Sequence, residues 1–359
     1  MNNIVKNEPS MKPYCNDDLA DINTPLLYDY WYVAGLATEF TRELRERTIL
    51  NRSLVLYRDE EGNPIALQNR CAHRSFPLAS SNLEQGGIRC KYHGIKYNHD
   101  GEITDVPCQD KCPKSGIKKY PTCEIGPCVW VWMGEEGKAD EADIPELPIH
   151  DMDKWVHVVG KYNHMAGSYI LLHENLCDLS HLPFLHADTF NMPKEYTAAP
   201  IEVEQTGNRV TFYRKMKDWA LLKPFFHPKL DFTGQNIIYK SGGEYMSPAT
   251  NKGYGLIIPL DDDGNEKAEV GHYISHYLTP ETQGSCHYFW YIARNYQLED
   301  TTYSEAQKQM VQSGFDQDCE AIALLQNMFE KDGHDYREIG IKADKPGVVM
   351  RKIIKGLAP

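Results

Sequence analysis

Four side chains between Cys71 and His93 carry the most chemistry in this sequence. They read Cys71-Ala-His73 and, after sixteen residues, Cys90-Lys-Tyr-His93-Gly94. Two thiolates and two imidazoles, set out as two mixed pairs, match a [2Fe–2S] centre held by two Cys on one iron and two His on the other. Neutral imidazole in place of anionic thiolate raises the potential of such a centre. With one or two residues between its ligands, each pair must sit on a tight loop. Gly94 permits a sharp backbone turn, and Pro77 would stiffen the loop behind the first pair. Zinc is the alternative, because Cys2His2 is also a zinc set. Zinc fingers, however, pair Cys with Cys and His with His at about C-x2–4-C and H-x3–5-H, and both half-sites here are mixed.

A second stretch runs Glu174-Asn-Leu-Cys-Asp178-Leu-Ser-His181-Leu-Pro-Phe-Leu-His186. A helix here would place Asn175, Asp178 and His181 on one face at i, i+3 and i+6. Pro183 would bend that helix and let His186 swing back towards His181. Two histidines this close need one carboxylate to complete the 2-His-1-carboxylate site of non-haem Fe(II), which leaves positions open for O2 and substrate. A histidine in a core is otherwise a hydrogen-bonded packing residue. A one-electron centre on the same chain, however, needs an acceptor, and that favours a metal site. The candidate carboxylates Asp316, Asp318 and Glu320 lie together in a segment of high helix propensity. Asp316 stands about 200° around a helix from Asp318, so the two cannot serve one site. His173 and Glu174 fall off the ligand face and receive no role.

These groups must be positioned by two kinds of scaffold. From Tyr28 to Gly134 the chain reads as short strands: Tyr28 to Leu36, Ser53 to Tyr57, Pro64 to Asn69, the segments around Cys90, and Val129 to Met133. Asp59-Glu-Glu-Gly62 marks a hairpin between two of them. Residues 28–134 are therefore expected to form an all-β domain after an irregular arm, 1–27. Gly134 to Pro148 is charged, with two prolines, and residues 135–148 are the expected linker. In residues 149–359 a strand near Trp155, a helix over Gly167 to His181 and several β-like segments show no βαβ rhythm, which points to an antiparallel sheet. Thr302 to Glu330 reads as one long amphipathic helix with apolar positions at Met310, Phe315, Ile322, Leu325 and Met328, and with Gly314 as a candidate break.

At 359 residues with 41% apolar composition, the chain can build two cores. No apolar run reaches the roughly 18 residues of a membrane span. The polar N-terminus lacks a signal-peptide core, so cytoplasmic residence is expected. A net charge of −13 argues against nucleic-acid binding. Ten cysteines in a large chain without a secretory signal are not a disulfide framework. Cys108, Cys112, Cys123 and Cys128 have spacings that could hold zinc; thiols buried among the strands are the preferred reading. No G-x-G-x-x-G follows a strand and no Walker motif is present, so nucleotide and flavin sites are unsupported.

The cluster stretch is similar to the Rieske domain of Rieske non-haem iron oxygenases: C-x-H-R-x-x-P-L from Cys71, then C-x2-H-G from Cys90, with Tyr97 and Gly101 following. Ile95 departs from the Trp often found there, which bears on packing and not on ligation. The second stretch resembles the family's N-x-x-D-x-x-H-x4-H motif, and Gly314 to Gln326 its carboxylate segment. The resemblance spans most of the chain. It implies an α+β architecture, a Rieske domain followed by a helix-grip catalytic domain in which a long helix crosses an antiparallel sheet. It implies a cluster on Cys71, His73, Cys90 and His93, and a mononuclear Fe(II) on His181, His186 and Asp318. Asn175 would sit near the iron without binding it. Asp178 would link a cluster histidine of one subunit to an iron-ligating histidine of its neighbour in a homotrimer. The family takes electrons from a separate NAD(P)H-dependent reductase and consumes O2. The wording around Asp178 resembles the vanillate and dicamba O-demethylase group, which implies monooxygenation or O-demethylation of a small aromatic substrate. Another aromatic or polycyclic substrate is the alternative within the class. A Rieske electron carrier is the alternative outside it, and would leave the second stretch idle.

Overall fold

The computed structural model describes residues 11–13, 18–146, 154–222, 229–332 and 337–359. The N-terminal region is built of short antiparallel strands in three small sheets. One pairs Lys119–Tyr120, Pro64–Gln68, Arg52–Arg58 and Arg45–Ile49; a second pairs Thr122–Ile125, Cys128–Trp132 and Trp31–Leu36; a third pairs Asn82–Glu84, Gly87–Arg89, Lys96–Tyr97 and Ile103–Asp105. The hairpin at Asp59 turns through Gly62 at φ +90°, where glycine is the residue without steric cost.

Cys128–Trp132 is buried along its whole length because both of its faces are covered. Trp130 and Trp132 join Trp31 and Val33 in a cluster with Tyr277 and Phe289 of the C-terminal region, while Val129 and Val131 face a second core. The Trp130 and Tyr277 rings meet edge to face at 5.3 Å. Thr279 Oγ1 donates to Val33 O, and one ring nitrogen of His287 lies 2.7 Å from Thr48 O.

The C-terminal region carries an eight-stranded antiparallel sheet. Its order is Val156–Val159, Cys286–Arg294, Val270–Pro280, Thr250–Pro259, Ile237–Ser247, Arg209–Met216 and Glu202–Thr206, with Asn163–Met165 also pairing Cys286–Arg294. The long helix, Thr301–Asp332, packs on it through Phe315, whose ring meets those of Tyr288, Trp290 and His276. The antiparallel sheet crossed by a long helix is the α+β architecture expected.

Several local expectations change. The long helix is not broken at Gly314. That glycine admits Phe190: a Cβ there would lie 2.2 Å from Phe190 Cζ. Leu325 and Met328 point away from the core, about half exposed, whereas Phe315 and Ile322 are buried. Residues 135–146 of the expected linker fold back as two 3-10 turns, with Ile144 buried and Asp140 O accepting from Trp31 Nε1. Its last residues, 147 and 148, lie outside the described residues. The expected arm contributes a strand, Met11–Pro13, paired with Arg337–Ile339. Residues 1–10 and 14–17 of it, Cys15 included, lie outside the description.

Candidate functional site

The two Cys-His loops close in the same way. Cys71 N donates to Phe76 O, and Cys71 O accepts from Ser75 N; Cys90 N donates to Ile95 O, and Cys90 O accepts from Gly94 N. The fourth residue after each cysteine is left-handed, Ser75 at φ 56° and Gly94 at φ 77°. Loop two uses glycine for this turn. Loop one tolerates serine, whose Oγ accepts from Arg70 Nε. No sequence signal marked Ser75 as the counterpart of Gly94.

This shared geometry brings the two pairs together. Cys71 and Cys90 are 3% and 1% exposed, while His73 and His93 lie outside with ring centroids 4.6 Å apart. Leu78, Ile88, Ile95 and Tyr97 pack beneath the thiols, so Ile95 fills the apolar floor. Tyr97 Oη accepts from Ala72 N at 3.0 Å and stands 3.2 Å from Cys71 Sγ. Two buried sulfurs, two outward imidazoles and an apolar floor fit a [2Fe–2S] group bound two ligands to each iron. Of the other cysteines, Cys128 is buried and Cys123 half-buried on adjacent strands, but Cys108 and Cys112 are exposed. For those two, burial is corrected: they lie on the loop after Ile103–Asp105, outside the strands.

The second constellation is assembled from three elements. Ser168 caps the helix Tyr169–Cys177, and its own N–H donates to Gln326 Oε1 on the long helix. This helix ends at Cys177, so Asn175, Asp178 and His181 do not share one helical face as expected. Asp178 takes an extended backbone, φ −123° and ψ 99°, and its carboxylate accepts from Ser180 N and Oγ. That local side-chain bond competes with helix continuation and starts a 3-10 turn, Leu179–His181. Pro183 does not break a helix; it lies in the first turn of a new one, Leu182–Leu185, where its missing N–H costs nothing.

His181, His186 and Asp318 nevertheless converge. Their ligand atoms lie within 4.8 Å of one another, the only such group of three His, Cys, Asp or Glu among the described residues. Asp318 Oδ1 is 3.1 Å from His186 Nε2 and 3.6 Å from His181 Nε2. Ligands at right angles around a metal about 2.1 Å away would be roughly 3 Å apart, so the donor set fits one ion. Each imidazole is held by its other nitrogen: His181 Nδ1 by Asp178 O at 2.6 Å, His186 Nδ1 by Gln317 Oε1 at 2.7 Å. Both acceptors place the proton on Nδ1 and leave the Nε2 lone pair for a metal. Asn175 Nδ2 donates to Asp318 Oδ1 at 2.9 Å. Burial pushes the pKa of His181 down. Burial also acts on His186, but the hydrogen bond and charge of Asp318 outweigh it and raise its pKa.

The neighbouring groups take structural parts. Asp316 accepts from Asn163 and Gln312, away from the histidines. Glu174 pairs with Arg351 of the last helix, and His173 is buried between Asn251 Oδ1 and Pro248 O. The constellation opens on a cavity of about 110 Å³ with a mainly apolar lining that includes Leu176, Leu182, Ile274 and Phe315. Its polar lining includes His272 and His276 from the strand Val270–Pro280 and Gln307 from the long helix. Sequence reasoning missed these residues and Gln317; only for Gln317 was a signal present, its place next to Asp318.

Two family models match this chain. Residues 30–121 match the Rieske [2Fe-2S] domain model, and residues 165–359 match the vanillate O-demethylase oxygenase C-terminal domain model. The iron-sulfur subunit of the toluene-4-sulfonate monooxygenase system of Comamonas testosteroni is 33% identical over 80% of this chain and 84% of its own length. A vanillate O-demethylase oxygenase subunit from Pseudomonas sp. is 28% identical, over 90% of this chain and 92% of its own. The oxygenase component of dicamba O-demethylase from Stenotrophomonas maltophilia is 29% identical, over 75% and 79%. The crystal structure of dicamba monooxygenase bound to dicamba shares the fold, with a TM-score of 0.78 over 93% of this chain and 98% of that one, at 24% identity.

Proposed function

This chain belongs to the Rieske oxygenases of the vanillate O-demethylase type, and from that premise we propose how its residues divide the work and what they act on. It is the oxygenase component of a Rieske monooxygenase system, an oxidoreductase that uses a [2Fe–2S] cluster and non-haem iron. Its substrate is proposed to be a small aromatic compound, hydroxylated or O-demethylated. Where a methoxy carbon is hydroxylated, the resulting hemiacetal collapses to a phenol and formaldehyde.

Cys71, His73, Cys90 and His93 are the proposed cluster ligands, and His181, His186 and Asp318 the proposed iron ligands. When bound, the cluster would supply one-electron transfer and the Fe(II) a centre for activating O2. The chain's own residues set the conditions. Asp178 O and Gln317 fix the tautomer and orientation of the two imidazoles. Asn175 holds the Asp318 carboxylate in place. The apolar cavity wall keeps water from the reacting ring. The Asp178 carboxylate is proposed to reach a cluster histidine of the neighbouring subunit in a homotrimer. Within one chain that carboxylate accepts from Ser180, while the backbone carbonyl of Asp178 meets His181 Nδ1.

Electrons are proposed to come from a separate NAD(P)H-dependent reductase, a reading supported by relatives that are themselves components of multi-protein systems. No described helix is long and apolar enough to cross a membrane; cytoplasmic residence belongs to the same proposal. The observation that carries the reading is the convergence of His181, His186 and Asp318 beside a ring-sized cavity, on a chain that also holds the Cys-His loops. The test is NADH and O2 consumption with a surrogate reductase across methoxylated and other aromatic compounds. Substrate-dependent uptake that is lost in His181→Ala is expected. Metal-loaded protein that passes electrons but never consumes O2 with any ring would leave an electron carrier as the better reading.

A further inference from the structure

The cavity beside His181 and Asp318 holds an unbalanced set of polar atoms. Three of its lining side chains bury an atom that no protein group meets: Asn175 Oδ1, Gln307 Oε1 and His272 Nδ1. Buried polar atoms without partners cost free energy, and a native site that keeps them has a use for them. Two of the three are amide carbonyl oxygens, which can only accept. Asn175 Oδ1 marks the iron end, because the Nδ2 of the same amide donates to Asp318. Gln307, 3% exposed on the long helix, also meets the Tyr296 phenol through its amide.

His272 comes from the sheet. Gly255 lies opposite it in the register, and a Cβ there would stand 3.1 Å from His272 Cε1, so the glycine makes room for the ring. Burial lowers the pKa of this imidazole to about 4, and in its neutral form each ring nitrogen either donates or accepts. The cavity offers little to an anion. Its one cationic side chain among the described lining residues, Lys252, is tied to Glu244 at 2.7 Å.

We propose that the substrate is an uncharged aromatic compound bearing an O–H or N–H donor, selected by Gln307 and His272 and, at the reacting end, by Asn175. This rests on the oxygenase reading above and narrows its substrate class. An aryl carboxylate or sulfonate would bring acceptor oxygens and a full charge against buried carbonyl oxygens, with no free cation to compensate its lost hydration. A carboxamide, sulfonamide or phenol supplies the missing donor to an amide carbonyl and leaves the imidazole a partner of either kind.

The test uses matched pairs on one ring: 4-hydroxy-3-methoxybenzamide against 4-hydroxy-3-methoxybenzoate, and toluene-4-sulfonamide against toluene-4-sulfonate. Each is titrated calorimetrically at neutral pH into enzyme loaded with both metal centres. The neutral member is expected to bind at least about tenfold more tightly, a ratio of the size left by one unmet buried polar group. Gln307→Leu and His272→Phe should each shrink that ratio at unchanged iron content. Equal or tighter binding of the anions would overturn the proposal, and the wild-type comparison needs no variant to fold. Substrate-dependent O2 uptake separates the two readings. Uptake favouring the anions sinks the substrate class and leaves the oxygenase standing, whereas no uptake with any ring sinks both.

Discussion

Removing one hydroxyl from the cluster floor should shift the potential of the cluster downward. In Tyr97→Phe the buried ring stays and only Oη is lost, so the apolar packing beneath the cysteines is preserved. That oxygen accepts from Ala72 N at 3.0 Å and lies 3.2 Å from Cys71 Sγ. With Cys71 as the proposed cluster ligand, its sulfur would have no proton to give, and the phenol would donate to it. Reduction adds negative charge to the sulfur, and a donor aimed at it therefore stabilises the reduced state more than the oxidised one. A net hydrogen-bond contribution of about 1 kcal/mol, against 59 mV for each tenfold change in a one-electron couple, corresponds to roughly 40 mV. Ala72 is exposed, so water can replace the bond to its N–H. The assay is a redox titration of the reduced-state EPR signal at fixed pH, with cluster content measured by acid-labile sulfide. An unchanged or raised potential at full cluster content would refute the assigned donor direction and with it the part given to Tyr97.

Four further outcomes are expected. Asp318→Ala should lose one iron per chain and all turnover with an intact cluster spectrum, whereas Asp316→Ala, which breaks bonds to Asn163 and Gln312, should keep both; the reverse result, read by metal analysis, would move the ligand by two residues. Gln317→Leu frees His186 Nδ1 and should weaken iron binding by roughly 10- to 100-fold in chelator competition, again with the cluster unchanged. The raised pKa of His186 means that a proton competes with the metal, so iron affinity of metal-free protein should fall as pH drops below that raised value and level off above it; a flat profile through neutrality would contradict it. Asp178→Asn should assemble both centres yet slow single-turnover reoxidation of the reduced cluster, and mixed oligomers of Cys71→Ser and His181→Ala chains should recover activity; no recovery in folded mixtures would confine electron transfer to one chain.

The candidate ligands were readable from the chain itself. Two ligands one or two residues apart must share a loop whatever surrounds them, so Cys71, His73, Cys90 and His93 stood out by type and spacing. The same holds for His181 and His186, although the helix expected to carry them ends at Cys177 and a local bond from Asp178 makes the turn instead. Helix periodicity separated Asp318 from Asp316 without coordinates, because 100° per residue is a property of the backbone. Tertiary structure alone decided the rest. Gly314 looked like a helix break because the local reading could not know that Phe190 packs against it. The charged segment 135–146 read as a linker because its Ile144 is buried in a cluster that also draws on Trp31 and Phe289, each more than a hundred residues away. The cavity draws Asn175 from one helix, Gln307 from another and His272 from a central strand, with Gly255 making room from the next. Strand order and register bring these residues together, and both are set by long-range pairing and burial that no short window of sequence contains.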